Sequence, residues 1–392
     1  MNYKELAEQA LDYIVEQRRW CHQNPELSLE EVQTTEHIAA ELQKMGYTEI
    51  QRFPDHTGLC AMLRGGKAEK ACRTVALRAD IDALPVEEKT GLPFASRNKG
   101  VMHACGHDCH IAMLLTATRI LHDMKEELCG TVKLAFQPAE EVALGAKSMV
   151  EQGALDGVDA CFAIHVWTDV KSGMVSLEAG PRMASADEFH ITVKGKGCHG
   201  AQPERGVDAA VVTAAIINNL QSVVSREISP MDPAVVTVGT IQAGTRWNVV
   251  AENSYMTGTT RCFSNEVWET FEERMERVIK GTAEAYRAEA ELEYLRIVPP
   301  TVNDEAVVSI AQKSAVAVLG ENCLASNPAT TGGEDFSYFM QRVPGAIALL
   351  GTGNEACGAV WPNHSGNFCV DEAQLLKGAM LYAQVAMDFN AQ

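Results

Sequence analysis

Residues 102–110 read MHACGHDCH and bring three histidines, two cysteines and one aspartate into nine positions. No second Cys/His pair follows at the spacing of a zinc finger, which normally uses two close pairs of ligands. A catalytic thiol and a catalytic metal site therefore both stay open. In a metal site, Cys105 and His107 would supply the first two ligands, and the glycine between them would allow a tight turn. We interpret His103 and His110 as ordinary polar or core residues, because lone histidines are seldom ligands.

Three other segments carry side chains of the same chemical types. LAFQPAEE places two adjacent carboxylates, Glu140 and Glu141, after an apolar run. One of them could bind a metal ion while the other accepts a proton from activated water. His165 ends the apolar run ACFAIHVW, and His364 lies in the loop sequence WPNHSGNF. All four residues are expected near strand ends of one predicted sheet, which favours a shared site.

Short apolar runs alternate with helical patterns in the first half of the chain and again near its end. This alternation predicts an α/β domain with a mainly parallel sheet and helices on both faces. In such sheets, functional groups gather beyond the carboxyl ends of the strands. The predicted strands are TVALRADI, TVKLAFQP, ACFAIHVW and GAIALLGTG, and the predicted helices include ELAEQALDYIVEQRRWCHQ, SLEEVQTTEHIAAELQKMGY, 111–125, 145–153, 304–319 and 372–389.

A different pattern occupies the middle of the chain. Between residues 185 and 298, strands and helices follow one another in the order β-α-β-β-α-β, which is typical of a ferredoxin-like α+β unit. Its helices are predicted at 207–225 and 265–289. We therefore predict one α/β domain formed by residues 1–184 and 299–392, interrupted by an inserted α+β domain at 185–298.

Composition argues against two classes of partner. The chain of 392 residues has 33 Lys+Arg against 52 Asp+Glu, a formal net charge of −19, and so acidic a chain repels the phosphate backbone of nucleic acids. No apolar run approaches the ~18 residues that span a membrane, and the N-terminal helix lacks the continuous apolar core of a signal peptide. The twelve cysteines form no paired CxxC framework, so we expect reduced thiols and a cytoplasmic location.

Ten segments spread over the chain point to a known family. They are HQNPELSLEE, ALRADIDALPVEEKTGLPFAS, GVMHACGHDCH, FQPAEE, HVW, VKGKGCHGAQP, WNVV, GTTR, GGEDFSYF and WPNHSGNF. In order and number they resemble the di-metal aminoacylase/carboxypeptidase family of metallopeptidases, in its amidohydrolase branch. That branch contains hippurate hydrolases, N-acetyl-amino-acid deacetylases and auxin-conjugate hydrolases. The resemblance implies a catalytic α/β domain with an inserted dimerisation domain, and so a homodimer or a higher homo-oligomer.

The resemblance implies a site for two divalent metal ions in each subunit. Cys105 matches the ligand that bridges both ions, as a thiolate where other branches use a carboxylate. His107 and His165 match the ligands of one ion, and Glu141 and His364 match those of the other. Zinc or manganese is expected, and cobalt or nickel would also suit the ligands, because N/S/O ligand sets overlap among these metals.

The resemblance also implies the catalytic residues of the α/β domain. Glu140 matches the general base. Asp82, in the segment ADIDALP, matches an aspartate that orients a metal ligand, and Asp80 stands where other branches place a ligand histidine.

Three residues of the inserted domain match further family positions. His199 matches a catalytic histidine that reaches the active site of the neighbouring subunit and stabilises the oxyanion. Asn248 and Arg261 match contacts to the carbonyl and the carboxylate of the substrate. The segment GCHGAQPE departs from the family's usual Gly-Gly-His-Ala and terminal Pro-His at three positions, which leaves substrate preference open; they are Cys198, Gly200 and Glu204.

The function implied is hydrolysis of the amide bond of N-acyl amino acids by a metal-dependent amidohydrolase. A dipeptidase or a carboxypeptidase acting on short peptides or aminobenzoyl-glutamate is the alternative on the same fold. A non-catalytic metal-binding scaffold is a third hypothesis, against which the general base Glu140 argues, because a scaffold has no need of one.

Overall fold

The computed structural model describes Leu6 and residues 8–67 and 72–391 of the chain. The chain divides into two compact units, the first made of Met1–Gly180, Asn303–Pro328 and Tyr338–Gln392, and the second made of Pro181–Val302 and Ala329–Ser337. The strands are β1 (Ile50–Arg52), β2 (Leu59–Arg64), β3 (Thr74–Asp80), β4 (Thr131–Gln137), β5 (Ala160–Lys171), β6 (Val175–Ser176), β7 (Gly180–Met183), β8 (Ala186–Lys194), β9 (Ala234–Ala243), β10 (Asn253–Cys262), β11 (Glu289–Val298), β12 (Thr301–Asn303), β13 (Leu324–Ala325) and β14 (Gly345–Gly353). The α-helices are α1 (Leu11–Gln23), α2 (Val32–Lys44), α3 (His107–Asp123), α4 (Gly145–Glu151), α5 (Ala209–Ser222), α6 (Asn265–Ala285), α7 (Glu305–Leu319), α8 (Ser337–Met340) and α9 (Leu375–Asn390).

The first unit is built on a sheet of eight strands in the order β1-β2-β4-β3-β5-β14-β6-β13. The central strands β4, β3, β5 and β14 are parallel, whereas β1, β2 and β6 each make an antiparallel pair. The central strands are nearly continuous apolar runs and are buried along most of their length, as expected of parallel strands covered on both faces. The mixed sheet with helices on both sides confirms the predicted fold class.

The second unit has the predicted β-α-β-β-α-β order, from β8 through α5, β9, β10 and α6 to β11. Its four strands form an antiparallel sheet in the order β11-β8-β10-β9. Alternate residues of β8 enter a core shared with the two helices, and α6 contributes an apolar stripe at helical spacing. Asp208 and Ser264 cap the first turns of α5 and α6 by accepting backbone N–H groups.

Three short segments group differently from the predicted domain layout: residues 181–184 and 299–302 lie in the second unit, and so does a third segment further along the chain. Residues 329–337 belong to the second unit, although we assigned them to the α/β domain. The backbone amide of Thr330 donates to the carbonyl of Arg182 at 2.9 Å, and Met183 and Thr330 form a β-bridge. Pairing between residues so distant in the chain leaves no local sequence signal.

Helix α3 begins one turn earlier than predicted, at His107 rather than at residue 111. The first predicted helix started at residue 5, and residues 5 and 7 lie outside the described part of the chain; its described portion includes α1. In the part of the chain that the structure describes, no helix is long and apolar enough to cross a membrane. The twelve cysteines, all within the described residues, form no disulfide bond.

Gly378 lies at a close approach of α9 to α3, and it generates a prediction about stability. A Cβ at this position would meet Met113 Sδ at 2.1 Å and Leu350 Cδ2 at 2.9 Å, and both side chains are completely buried. Gly378→Val is therefore expected to lower the free energy of unfolding by about 1–3 kcal/mol through overpacking. Urea denaturation followed by circular dichroism measures the change.

The matched control is Gly281→Ala in α6, because nothing lies within 4 Å of a Cβ at that exposed position. This substitution should raise the free energy of unfolding by about 0.5–1 kcal/mol, since glycine weakens a helix interior. Wild-type stability of Gly378→Val would contradict the close helix packing.

Candidate metal centre and active site

The site of the first unit lies at the carboxyl ends of its parallel strands. Asp80 ends β3 opposite Gln137, which ends β4. His165 does not end its strand as predicted, because β5 continues to Lys171. The pairing of β5 with β3 nevertheless stops at Ala163, so His165 lies two residues beyond that ladder.

A glycine turn places the first two candidate ligands. Gly106 has φ = +88°, in the left-handed region, and the helix α3 starts immediately after it. A Cβ at this position would meet Val166 Cγ2 at 2.4 Å, so the turn needs glycine for both conformation and space. Cys105 and His107 therefore stand on either side of a fixed turn and lie in the same site.

The five side chains predicted to bind metal come together in the first unit. The ligand atoms of Cys105, His107 and His165 all lie within 4.8 Å of one another, and so do those of Cys105, Glu141 and His364. Cys105 Sγ is 3.5 Å from His165 Nε2, and His364 Nε2 is 3.5 Å from Glu141 Oε2. Both groups include Cys105, and together these five residues could hold two cations.

Backbone carbonyls accept hydrogen bonds from Nδ1 of two histidines, which leaves Nε2 of each ring available to bind a metal ion. His107 Nδ1 donates to the carbonyl of Asp82 at 2.9 Å, and His165 Nδ1 donates to the carbonyl of Val166 at 2.8 Å. Each ring therefore keeps Nε2 as an electron-pair donor, which is the usual way in which a metal-binding histidine is oriented. His107 Nε2 and Glu141 Oε1 are buried and have no hydrogen-bond partner among the described residues. Buried polar atoms of this kind fit an occupant that they can coordinate.

The surroundings of the cluster penalise the charged forms of four proposed ligands, whereas for His107 the nearby Asp80 carboxylate and the hydrogen bond to Asp82 outweigh burial and raise the pKa. Burial raises the pKa of Glu141 to about 7 and raises the pKa of the Cys105 thiol above its ordinary value. Burial also lowers the pKa of His165 and of His364, so both imidazoles favour the neutral form that binds metal. A bound cation would favour the carboxylate and the thiolate as well, because metal binding displaces their protons.

The Asp80 carboxylate accepts hydrogen bonds from two neighbouring side chains, Arg78 and His110. Arg78 Nη1 donates to Asp80 Oδ2 at 2.8 Å, and His110 Nδ1 donates to Asp80 Oδ1. Burial raises the pKa of Asp80, but Arg78 and the two nearby histidines outweigh it and hold the pKa well below its usual range. The amide of Val166 donates to His110 Nε2 at 2.9 Å, so both nitrogens of His110 are used in a buried network.

His103, which we also interpreted as a core residue, is buried as well, and neither ring nitrogen has a hydrogen-bond partner among the described residues. Burial is the main reason that its pKa falls to about 4. Its imidazole is therefore neutral at neutral pH.

Asp82 connects three parts of the site. Its backbone carbonyl accepts from His107, while Oδ2 accepts from the Ser28 hydroxyl at 2.7 Å and from the amide of Glu141 at 3.0 Å. Glu140 belongs to the same cluster, with Oε2 at 4.0 Å from His107 Nε2.

Sequence reasoning missed several residues that support this cluster. Asn363 Nδ2 donates to the carbonyl of Cys105 at 3.2 Å and to its Sγ at 3.6 Å, and so connects the His364 loop to the Cys105 loop. The only available signal for Asn363 was its position beside His364. Ser28 lies in a segment that matched the family without a role being assigned to it.

The second unit contains the remaining predicted residues. His199 is exposed, and its Nδ1 accepts the amide of Ala201 at 3.1 Å. His199 forms a β-bridge with Val249, next to Asn248, so the structure brings these two predicted residues onto neighbouring backbone segments. Arg261 is half-buried on β10, where its Nη1 donates to the carbonyl of Thr260 at 2.8 Å.

Two departures from the family sequence have a local explanation here. A Cβ on Gly200 would meet the carbonyl oxygen of Asn248 at 2.9 Å, and the amide of Gly200 donates to that carbonyl at 2.9 Å. The glycine therefore suits a close approach of two backbone segments. Cys198 Sγ donates to the carbonyl of Gln202 at 3.3 Å, within the same turn. Nothing in the structure explains Glu204.

Comparison with known proteins identifies the family to which this chain belongs. Residues 76–388 match the family described as Peptidase family M20/M25/M40. The chain is 39% identical over 382 residues to thermostable carboxypeptidase 1 of Saccharolobus solfataricus, covering 97% of this chain and 96% of that protein. It is 40% identical over 376 residues to the N-acetylcysteine deacetylase of Bacillus subtilis, covering 95% of this chain and 96% of the relative.

One of the similar solved structures is of a protein that binds two metal ions. A dinuclear metal-binding peptidase of the M20 family from Bacillus subtilis superposes with a TM-score of 0.84 and 36% identity, covering 98% of this chain and 99% of that one. Together with the two ligand groups that share Cys105, this similarity supports a pair of divalent metal ions. The chain belongs to peptidase family M20/M25/M40 and is a metal-dependent hydrolase of amide bonds.

Proposed function

We propose that this protein hydrolyses N-acyl amino acids to a carboxylic acid and a free amino acid. The observation that carries the proposal is the pair of ligand groups sharing Cys105, with the Glu140 carboxylate beside them. The N-acetylcysteine deacetylase relative supports an acyl-amino-acid substrate. A carboxypeptidase acting on short peptides is the second candidate, because another relative of similar identity carries that name.

The ligands proposed are Cys105 between both ions, His107 and His165 on one ion, and Glu141 and His364 on the other. Two cations held there would polarise the amide carbonyl and make water a stronger acid. We propose zinc or manganese, with cobalt or nickel also compatible with one sulfur, three imidazoles and a carboxylate.

Glu140 acts as the general base in this proposal. It is adjacent to Glu141 in the chain and within reach of the same cluster, so its carboxylate can accept a proton from water and pass it to the departing amine. Asp82 keeps His107 in the Nε2-binding orientation and holds the amide of Glu141, so it positions groups in both halves of the cluster.

Residues of the second unit would recognise the substrate. Arg261 offers a planar guanidinium that can bind an α-carboxylate with two parallel hydrogen bonds, which would favour acyl-amino acids over plain amides. Asn248 would contact the carbonyl. His199, whose Nδ1 accepts the amide of Ala201, would donate from Nε2 to the oxyanion.

We further propose that the protein is a homodimer or a higher homo-oligomer in which His199 serves the active site of the neighbouring subunit. The cytoplasm is the proposed location, and twelve free thiols support a reducing compartment.

The substrate class is tested with the metal-loaded enzyme on matched pairs of compounds. N-Acetyl and N-benzoyl amino acids should be hydrolysed with kcat/KM at least tenfold higher than free dipeptides or N-acyl amines that lack the carboxylate. Release of the amino acid measures turnover. Faster hydrolysis of dipeptides would favour the carboxypeptidase candidate.

Glu140 and Glu141 should behave differently although they are adjacent. Glu140→Gln is expected to lower kcat by about 10²–10⁴-fold, the usual contribution of general base catalysis, with two metal ions still bound. Glu141→Gln should instead release one ion. Metal analysis beside kinetics separates the roles, and the reverse pattern would exchange them.

Subunit mixing tests the role proposed for His199. His199→Ala is expected to lose activity, because removing one oxyanion donor typically costs about 10²–10³-fold. Glu140→Ala is also expected to lose activity, because it lacks the general base. A mixed dimer would contain one site with both groups intact, so activity should return after subunit exchange. Exchange verified by mass spectrometry without recovered activity would contradict a shared site.

A further inference from the structure

The backbone on both sides of Glu140 is held by buried carboxylates. The amide of Ala139 donates to Glu31 Oε1 at 2.8 Å, and the amide of Glu141 donates to Asp82 Oδ2 at 3.0 Å. These two bonds hold the Pro138–Ala139 peptide, one residue before Glu140, and the Glu140–Glu141 peptide that follows it. Asp82 belongs to the metal site, whereas Glu31 contacts none of the five proposed ligands in the bonds described.

The segment held in this way has a backbone that needs support. Ala139 has φ = +52° and Ala143 has φ = +56°, both in the left-handed region that residues with a Cβ rarely adopt. Such conformations persist when surrounding contacts over-determine them. The turn is closed tightly, because the amide of Ala143 donates to the Glu140 carbonyl at 2.8 Å and a Cβ on Gly145 would meet the Pro138 carbonyl oxygen at 1.6 Å.

Glu31 is itself held in place by burial and by hydrogen bonds. It is fully buried immediately before α2, and its backbone carbonyl accepts from the amide of Thr35 at 3.0 Å. Its second carboxylate oxygen, Oε2, accepts from the Thr57 hydroxyl. A buried carboxyl group is costly unless it is hydrogen-bonded, and one of the bonds that compensates Glu31 goes to the turn that carries Glu140.

We propose that Glu31 is a positioning residue for the general base, acting through the Ala139 amide. The proposal rests on the function proposed for Glu140. The Glu31 carboxylate accepts one hydrogen bond from the Ala139 amide and one from the Thr57 hydroxyl, so its contribution to the turn needs an acceptor at Oε1 rather than a negative charge. Glutamine retains that acceptor, and its amide group can donate to the Thr57 oxygen instead.

The first variants are Glu31→Leu, which removes the acceptor at similar size, and Glu31→Gln, which retains it. In metal-loaded Glu31→Leu we expect kcat to fall by about 10–10²-fold, since misplacement of a catalytic group by about 1 Å can cost that much. KM should change by less than about threefold, and two metal ions should stay bound, because Asp82 still holds Glu141. Glu31→Gln should keep kcat within about threefold of wild type.

Amide hydrogen exchange measures the proposed bond without any turnover. In Glu31→Leu, peptides that cover residues 138–142 should exchange one amide at least about tenfold faster, and Glu31→Gln should match wild type. Glu41→Leu is the control, because Glu41 is another buried carboxylate on α2 and accepts hydrogen bonds from Tyr13 and Lys44 instead of from this turn. It should leave both kcat and the exchange of residues 138–142 unchanged. Glu31→Asp, which shortens the reach, replaces Glu31→Leu if the latter fails to fold.

The outcomes are distinguishable. Unchanged exchange at residues 138–142, lost metal in Glu31→Leu, or equal loss of kcat in the leucine and glutamine variants would each overturn the positioning role. Faster exchange with wild-type kcat would overturn it too. If Glu140→Gln retains full turnover, the proposed function fails by itself, and exchange still decides whether Glu31 holds the turn.

Discussion

The structure depends on a cluster of buried side-chain atoms that could bind metal ions and that the described residues leave partly without hydrogen-bond partners. Cys105, His107, His165 and Glu141 are largely withdrawn from water, and burial opposes both the thiolate and the carboxylate. His107 Nε2 and Glu141 Oε1 have no hydrogen-bond partner among the described residues. Bringing these groups together in a buried site costs free energy, and the coordination of cations can offset that cost. Most features of the first unit can be understood as the means of holding this cluster together.

Those means are chiefly backbone geometry. Parallel strands bring Asp80 and the segment after Gln137 to the same edge of the sheet, and the left-handed turn at Gly106 starts α3 there. Backbone carbonyls fix the orientation of the His107 and His165 rings. Because strands, a helix start and carbonyls are rigid, few side chains need to change when metal binds, which keeps a catalytic site well organised.

The sequence predicted the parallel centre, the inserted β-α-β-β-α-β unit and the five residues that converge, because each leaves a local mark. Apolar runs mark buried strands, the spacing of Cys105 and His107 marks a pair of candidate ligands, and the family resemblance supplies their predicted roles. The grouping of residues 329–337 with the second unit, the continuation of β5 beyond His165 and the hydrogen bond from Asn363 to Cys105 are decided by distant pairings. The amide of Ala139 likewise meets Glu31 across 108 positions in the chain, with no pattern to indicate it.

The shared sulfur is the central claim, and X-ray absorption at the metal edge of the zinc-loaded enzyme tests it most directly. If Cys105 bridges both ions, the spectrum should contain, on average, one sulfur neighbour per zinc at about 2.3 Å. Half a sulfur per zinc would mean that the thiolate binds a single ion. A first shell of nitrogen and oxygen alone would contradict the proposed ligand role of Cys105 altogether.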